Sequence, residues 1–161
     1  MVRFAVQPAP CWSLHPGSDD TVHLPVQILN EAVAFGVVWA RDEDDVRQAH
    51  RLRYRVFAEE MGVRLRAPHG CPLHDDIDMF DPFCEHLLVR AKTSRHAGPS
   101  EGPVIGTHRV LTPAAANRVG GLYAETEFDL TRLRPLRSKM AEPGRSCVHP
   151  NWRSGGVIMG L

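Results

Sequence analysis

The chain predicts an α/β domain: a mixed, mostly antiparallel sheet flanked by helices. Three observations carry this. Short apolar runs rich in β-forming residues recur at 35–40, 86–92 and 104–111. Residues 43–60 keep instead the three- and four-residue step of an amphipathic helix. The link at 93–103 is rich in Gly, Ser and Pro and reads as a flexible hairpin connection, which makes its two strands antiparallel.

Composition bounds the rest. The chain has 161 residues, 43% hydrophobic and 24% charged, enough for one domain with a real core. Its 19 basic and 19 acidic side chains cancel, so no general basic excess exists to drive nucleic-acid binding. One local cluster stands out, Arg132, Arg134 and Arg137 beside Lys139. It is either a solvated basic loop or a surface for an acidic partner or anionic lipid. The opening residues lack the apolar stretch of a secretory signal, so Cys11, Cys71, Cys84 and Cys147 read as reduced thiols of a cytoplasmic protein. No run approaches the ~18 apolar residues of a membrane span, so any membrane contact would be peripheral.

In order, residues 1–34 form a flexible lead-in punctuated by Pro8, Pro10, Pro16 and Pro25, with a short helical turn at 26–34. The domain proper is 35–161. Strand 35–40 is followed by Asp42, a natural N-cap, and by acids that suit a helix N-terminus. Val46, Ala49, Leu52, Arg53, Val56, Phe57 and Met61 mark the inner face of the helix, and Gly62 stops it. Residues 63–84 are irregular, with an acidic centre at 75–81. The returning strand 104–111 carries Gly106, a candidate bulge. A helical turn at 114–118 ends at Gly120 and Gly121. The last strand, 139–149, has an irregular middle because Pro143 cannot donate to a ladder. A glycine-bearing loop, 153–158, should then open a helix.

Three constellations carry candidate chemistry. Glycines after a strand let backbone N–H groups approach a phosphate, so Arg153, Ser154, Gly155, Gly156, Val157 and Ile158 form either a cradle or a structural turn. Glu142, with Arg145 and Ser146, places a carboxylate where it could take a proton from an attacking amine, with Arg145 orienting it. A structural salt bridge is the other reading. Asp78 and Asp81, with Arg53, Phe57 and Arg109, could hold a cationic amino substrate through carboxylates steadied by arginines. Turn-capping acids and a solvated arginine face would look the same. His69, Cys71, His74, Cys84 and His86 match neither a CxxC pair nor a finger spacing, so no metal is expected. Cys147 reads as a small buried residue rather than a nucleophile.

Several segments occur in series: 52–57 (LRYRVF), 59–62 (EEMG), 76–81 (DIDMFD), 84–89 (CEHLLV), 105–111 (IGTHRVL), 123–129 (YAETEFD) and 144–150 (GRSCVHP). Together they resemble the bacterial L-ornithine N-alpha-acyltransferases of ornithine-lipid synthesis, in the GNAT superfamily. More distantly, Arg53-x-x-x-Phe57, Asp78-x-x-Asp81, Arg109 and Glu142-x-x-Arg145 resemble the acyl-homoserine-lactone synthases. The resemblance implies transfer of a 3-hydroxyacyl group from the phosphopantetheine thioester of acyl carrier protein to the α-amine of L-ornithine. It implies no further cofactor. Glu142 would be the general base, Asp78 and Asp81 the polar side of the amino-acid site, and Arg53, Arg109 and Arg145 their partners. The 153–158 loop would cradle the pantetheine phosphate, and a bulge near Gly144 would offer an N–H to the oxyanion. A GNAT fold continues past this loop with a helix and more strands, so the expectation is its N-terminal part, poorly active and aggregation-prone alone. Another amino acid N-acyltransferase, an autoinducer-type synthase, or a non-catalytic remnant that binds carrier protein or a membrane surface stay open.

Overall fold

The computed structural model describes residues 35–65, 68–94, 96–153 and 156–161. The lead-in at 1–34 lies outside the described residues. Four strands form one sheet: β1 (Phe35–Trp39), β2 (Glu85–Ala91), β3 (Val104–Leu111) and β4 (Glu142–Val148), in the order β1-β2-β3-β4. All three pairings among the described residues are antiparallel, in keeping with the mostly antiparallel α/β sheet expected.

Helix α1 (Glu43–Tyr54) begins where Asp42 accepts the Asp45 amide at 2.9 Å, followed by acids in its first turn. Its inner face buries Ala49, His50, Leu52 and Arg53. Arg90 of β2 reaches Asp45 and, at 3.0 Å, Gln48, tying the helix to the sheet. The helical run does not stay α to Glu60. Residues Arg55–Glu60 wind as a wider π-helical turn, with the Met61 amide donating to the Val56 carbonyl at 3.1 Å. The widened turn rotates the side chains that follow it. Met61, placed inside by a 3.6-residue step, is 63% exposed, and Gly62 ends the turn at a φ of 70°.

Two layers of core cover the sheet. Leu52 and Val56 pack with Cys147 on one face. The next residue, Val148, points the other way and packs with Val89, Ala91, Ile105 and Val157. Val157 comes from α3 (Gly156–Met159), the short helix after the last loop. Between β3 and β4 lies α2 (Pro113–Val119), capped by Thr112 and ended by Gly120 at a φ of 97°. It contributes Ala115 and Ala116 to a third cluster with Phe80, Leu111 and Leu122. The chain then makes 3₁₀ turns at Tyr123–Thr126 and Thr131–Lys139.

Two register breaks matter for the site. One falls at Ile105, beside the expected Gly106, because Val89 faces Gly106 while Arg90 faces Val104. The other lies in β4. Thr107 faces Cys147 and Arg109 faces Gly144, so Arg145 and Ser146 share the space opposite His108. Arg145 takes a φ of 51°, a left-handed conformation that a non-glycine residue holds only when its surroundings hold it there. Among the described residues β4 pairs with β3 alone, so Pro143 leaves no ladder bond unmade on its other side.

Candidate active site

The centre of the site is a lattice of arginines and aspartates. Arg53, fully buried on α1, donates from Nε to Asp76 at 2.8 Å and from both terminal nitrogens to Asp81 at 2.6 and 3.0 Å. Arg109, from β3, donates to Asp78 at 2.7 Å and to Asp81 at 2.9 Å. Arg145, from the β4 bulge, lies 3.5 Å from Asp76 and 3.3 Å from Asp78. The loop that supplies the acids is folded by the same carboxylates. Asp81 accepts the Asp78 amide at 2.7 Å and Asp78 accepts the Phe80 amide at 2.9 Å. The acids thus cap their own turn and pair with arginines at once, and Arg53 and Arg109 are buried rather than forming a solvated arginine face.

Burial pushes the Asp81 carboxyl up, but the hydrogen bonds and charge of Arg53, helped by Arg109, outweigh it and hold the group well below the usual carboxylate range. Burial likewise works against the Arg109 charge, and its bonds to Asp78 and Asp81 raise its pKa nonetheless. Asp81 is the inner end of the pair: its side chain is 1% exposed and its oxygens accept from Arg53 and Arg109. Asp78, 17% exposed, is the aspartate nearer to solvent. Asp76 completes the lattice and was not singled out by sequence, because nothing in an acidic run tells which acid turns inward.

In front of the lattice opens a cleft of about 410 Å³, lined by Phe57, Phe80, Arg109, Tyr123, Glu142, Pro143, Gly144, Arg145 and Ser146, among others. Tyr123 forms its aromatic wall. The guanidinium groups of Arg109 and Arg145 lie 6.0 and 5.9 Å from its ring centre, and Arg145 also lies 5.9 Å from that of Phe57. Phe80 meets Tyr123 edge-on at 5.7 Å.

Glu142 lines the cleft as expected, but its partners differ. Its oxygens accept the Tyr123 amide at 2.6 Å and the Ala124 amide at 2.7 Å, the open end of a 3₁₀ turn. Arg145 does not orient it. Arg145 is turned to the aspartates by the bulge, so the expected Glu142–Arg145 pair is replaced by two separate anchors. A carboxylate bound to backbone amides leaves no side-chain signature in the sequence. Ser146 Oγ shares a hydrogen bond of 2.5 Å with His108 Nδ1, a pairing the β4 bulge creates.

The described residues cover four of the six positions expected to cradle a phosphate, Arg153 and 156–158. Ser154 and Gly155 lie outside the described residues. Arg153 grips Glu60 through both terminal nitrogens at 2.5 Å and donates from Nε to the Val148 carbonyl at 3.1 Å. Val157 is a core residue, Gly156 packs under the Phe35 ring, and Ile158 is 54% exposed.

Behind the lattice, His50 and His86 meet edge-on at 5.6 Å, and with Asp81 they form a group close enough to hold a metal ion. This is not the His/Cys set weighed from the sequence. Asp81 already balances two guanidinium groups, so a dication there would meet like charge. Burial lowers the His50 pKa to about 3 despite the nearby Asp81, and lowers that of His86. Burial pushes the Cys84 thiol up to about 11 and Cys147 to about 12, so neither is an activated nucleophile.

Residues 52–161, which hold the bulged strand and the cleft beside it, match the acetyltransferase (GNAT) domain. The chain belongs to that family. Among curated proteins it is similar to L-ornithine N(alpha)-acyltransferases. The Rhodobacter capsulatus protein is 35% identical over 136 residues, 80% of this chain and 49% of the relative. The Agrobacterium fabrum protein is 40% identical over 121 residues, 74% of this chain and 40% of the relative. The Brucella abortus protein is 35% identical over 133 residues, 81% of this chain and 46% of the relative. The chain thus spans less than half the length of the curated relatives it matches. No solved structure gives a significant match.

Proposed function

We propose that this chain carries the acceptor side of an L-ornithine N-alpha-acyltransferase. The reaction moves a 3-hydroxyacyl group from an acyl carrier protein thioester to the α-amine, giving a lyso-ornithine lipid in the cytoplasm. The carrying observation is the cleft that Glu142 and the β4 bulge line together, with Asp78 held behind it by Arg109 and Arg145, which also line it. A cationic acceptor meets Asp78 at the edge of the lattice, while Arg53 and Arg109 hold the aspartates in place. The α-ammonium must lose a proton before it attacks. A carboxylate has about four acceptor positions. The Tyr123 and Ala124 amides take two at Glu142, and the rest can take that proton, directly or through water.

The neutral amine then attacks the thioester carbonyl, a C–N bond forms and the C–S bond breaks. The thiolate leaves and takes up the second proton, which the attacking nitrogen loses as it becomes an amide. The thioester is already activated, so no covalent enzyme intermediate is needed. A backbone N–H at the bulge stabilises the oxyanion. The donor phosphate would engage the 153–158 loop once Arg153 leaves Glu60.

The test is acyl transfer from 3-hydroxyacyl carrier protein to ornithine, against lysine, glutamine and S-adenosylmethionine. Ornithine should be preferred, and Glu142→Gln should cost about a hundredfold or more. Preference for another acceptor would move the reading to a different N-acyltransferase or an autoinducer-type synthase. Unchanged turnover in Glu142→Gln would reduce Glu142 to a cap for the Tyr123 turn.

A further inference from the structure

The acyl-transfer reading makes no use of the segment after the cleft wall, 128–140. It holds Arg132, Arg134, Arg137 and Lys139, and no acid lies between 130 and 140. Arg137 is spent on Glu125 at 2.8 Å. Arg132, Arg134 and Lys139 are exposed. Between these cations stand large apolar side chains, also exposed: Phe128 at 69%, Leu136 at 54% and Leu133 at 38%. The Thr131–Lys139 stretch is a 3₁₀ helix, in which side chains three apart eclipse one another, so Leu133 and Leu136 stand in one row with arginines beside them. A solvated basic loop does not need that row.

We infer that this segment docks the protein on an anionic lipid bilayer. Interfacial binding needs apolar side chains that enter the headgroup boundary and cations that meet its charge, and both are present on one short segment. The cavity under this segment is about 10 Å³, so what the segment presents is its own exposed apolar side chains and not a pocket. A fluid bilayer takes such side chains without a shaped cavity of its own. The chain carries no net charge, so attraction to anionic lipid has to come from a local cluster, and this segment supplies one. The docked surface also adjoins the cleft, because Glu125, which holds Arg137, accepts the Leu122 amide at 2.9 Å and Tyr123 follows.

The experiment is co-sedimentation of the full 161-residue chain with vesicles of phosphatidylcholine alone, or mixed with phosphatidylglycerol. It needs no turnover, so it is independent of the acyl-transfer reading. Binding should require phosphatidylglycerol and weaken with salt. Each cation removed should lower affinity roughly fivefold. Arg132→Glu with Arg134→Glu should abolish it, and Phe128→Ser with Leu136→Ser should weaken it at all salt concentrations. Circular dichroism checks that these exposed substitutions keep the fold. Equal binding to both vesicles, undiminished binding by the charge variant, or no vesicle binding with capture by an acidic carrier protein instead, would each overturn the proposal.

Discussion

Arg53 grips Asp81 at 2.6 and 3.0 Å, and Arg153 grips Glu60 at 2.5 Å through both terminal nitrogens. The chemistry is the same, yet the surroundings are opposite. The Arg53 and Asp81 side chains are each 1% exposed, while those of Arg153 and Glu60 are 41% and 35% exposed. Inside, the Arg53 charge is what keeps the buried Asp81 carboxylate ionised, and a second arginine and a second aspartate complete the balance. Outside, water competes for both ends, so the pair can open without leaving a stranded charge. The buried pair therefore sets the shape of the site, and the exposed pair can act as a latch.

The largest effect should come from Asp81→Asn. It leaves Arg53 and Arg109 short of negative charge in a site closed to water, and breaking a buried pair from one side costs about 3–5 kcal/mol. Denaturant unfolding would read this as a lower midpoint with the slope retained. A loss near that of an exposed pair would mean that Asp76 and Asp78 can carry both arginines, and that the two pairs differ less than their burial says.

Acid sharpens the comparison next. The His50 pKa falls from 6.5 to about 3 on folding, chiefly through burial beside the lattice. The unfolded chain therefore takes up this proton at a pH where the folded protein does not. Stability is full above pH 6.5 and falls as pH drops toward about 3, by about 1.4 kcal/mol per unit for one such group. His86, also lowered, adds to that window. Asp81 acts later. Its stabilising charge is complete above its ordinary value of 3.8 and is lost as pH falls through its lower folded value. His50→Leu should flatten the plot of unfolding midpoint against pH between about 6.5 and 4.5 without removing the loss at lower pH. An unchanged slope would assign the upper window elsewhere.

The same contrast explains what could be read from the sequence. The strands, the Asp42 cap and the Gly120 stop follow from local rules, and the structure has all of them. Arg53, Asp78, Asp81 and Arg109 could be grouped because charged residues recur in motifs. What sequence missed was made by contacts between a side chain and a distant backbone, or by a change in winding. Glu142 meets the Tyr123 and Ala124 amides, which have no side-chain signature. Asp76 and His50 turn inward only because Arg53 does. Met61 leaves the core because the helix widens after Tyr54. The Glu60–Arg153 latch joins residues that sequence reading had put in separate roles, one a helix end and the other a phosphate ligand.

The smallest effect on stability should come from opening that latch. Both of its ends meet solvent, so Glu60→Gln should leave the unfolding midpoint unchanged. Its effect should appear in ligand binding instead. The Arg153 hydrogen bonds hold the Glu60 carboxyl below its usual range, and the same bonds occupy the fork that a phosphate would use. The Glu60→Gln substitution frees the fork, so pantetheine phosphate should bind more tightly to this variant than to the parent, and Arg153→Ala should bind it more weakly. Titration followed by calorimetry distinguishes the cases. Tighter binding would make Glu60 a competitor for the phosphate site. Unchanged binding in both variants would make the pair a strut between the π-turn and the end of β4, with the phosphate held elsewhere.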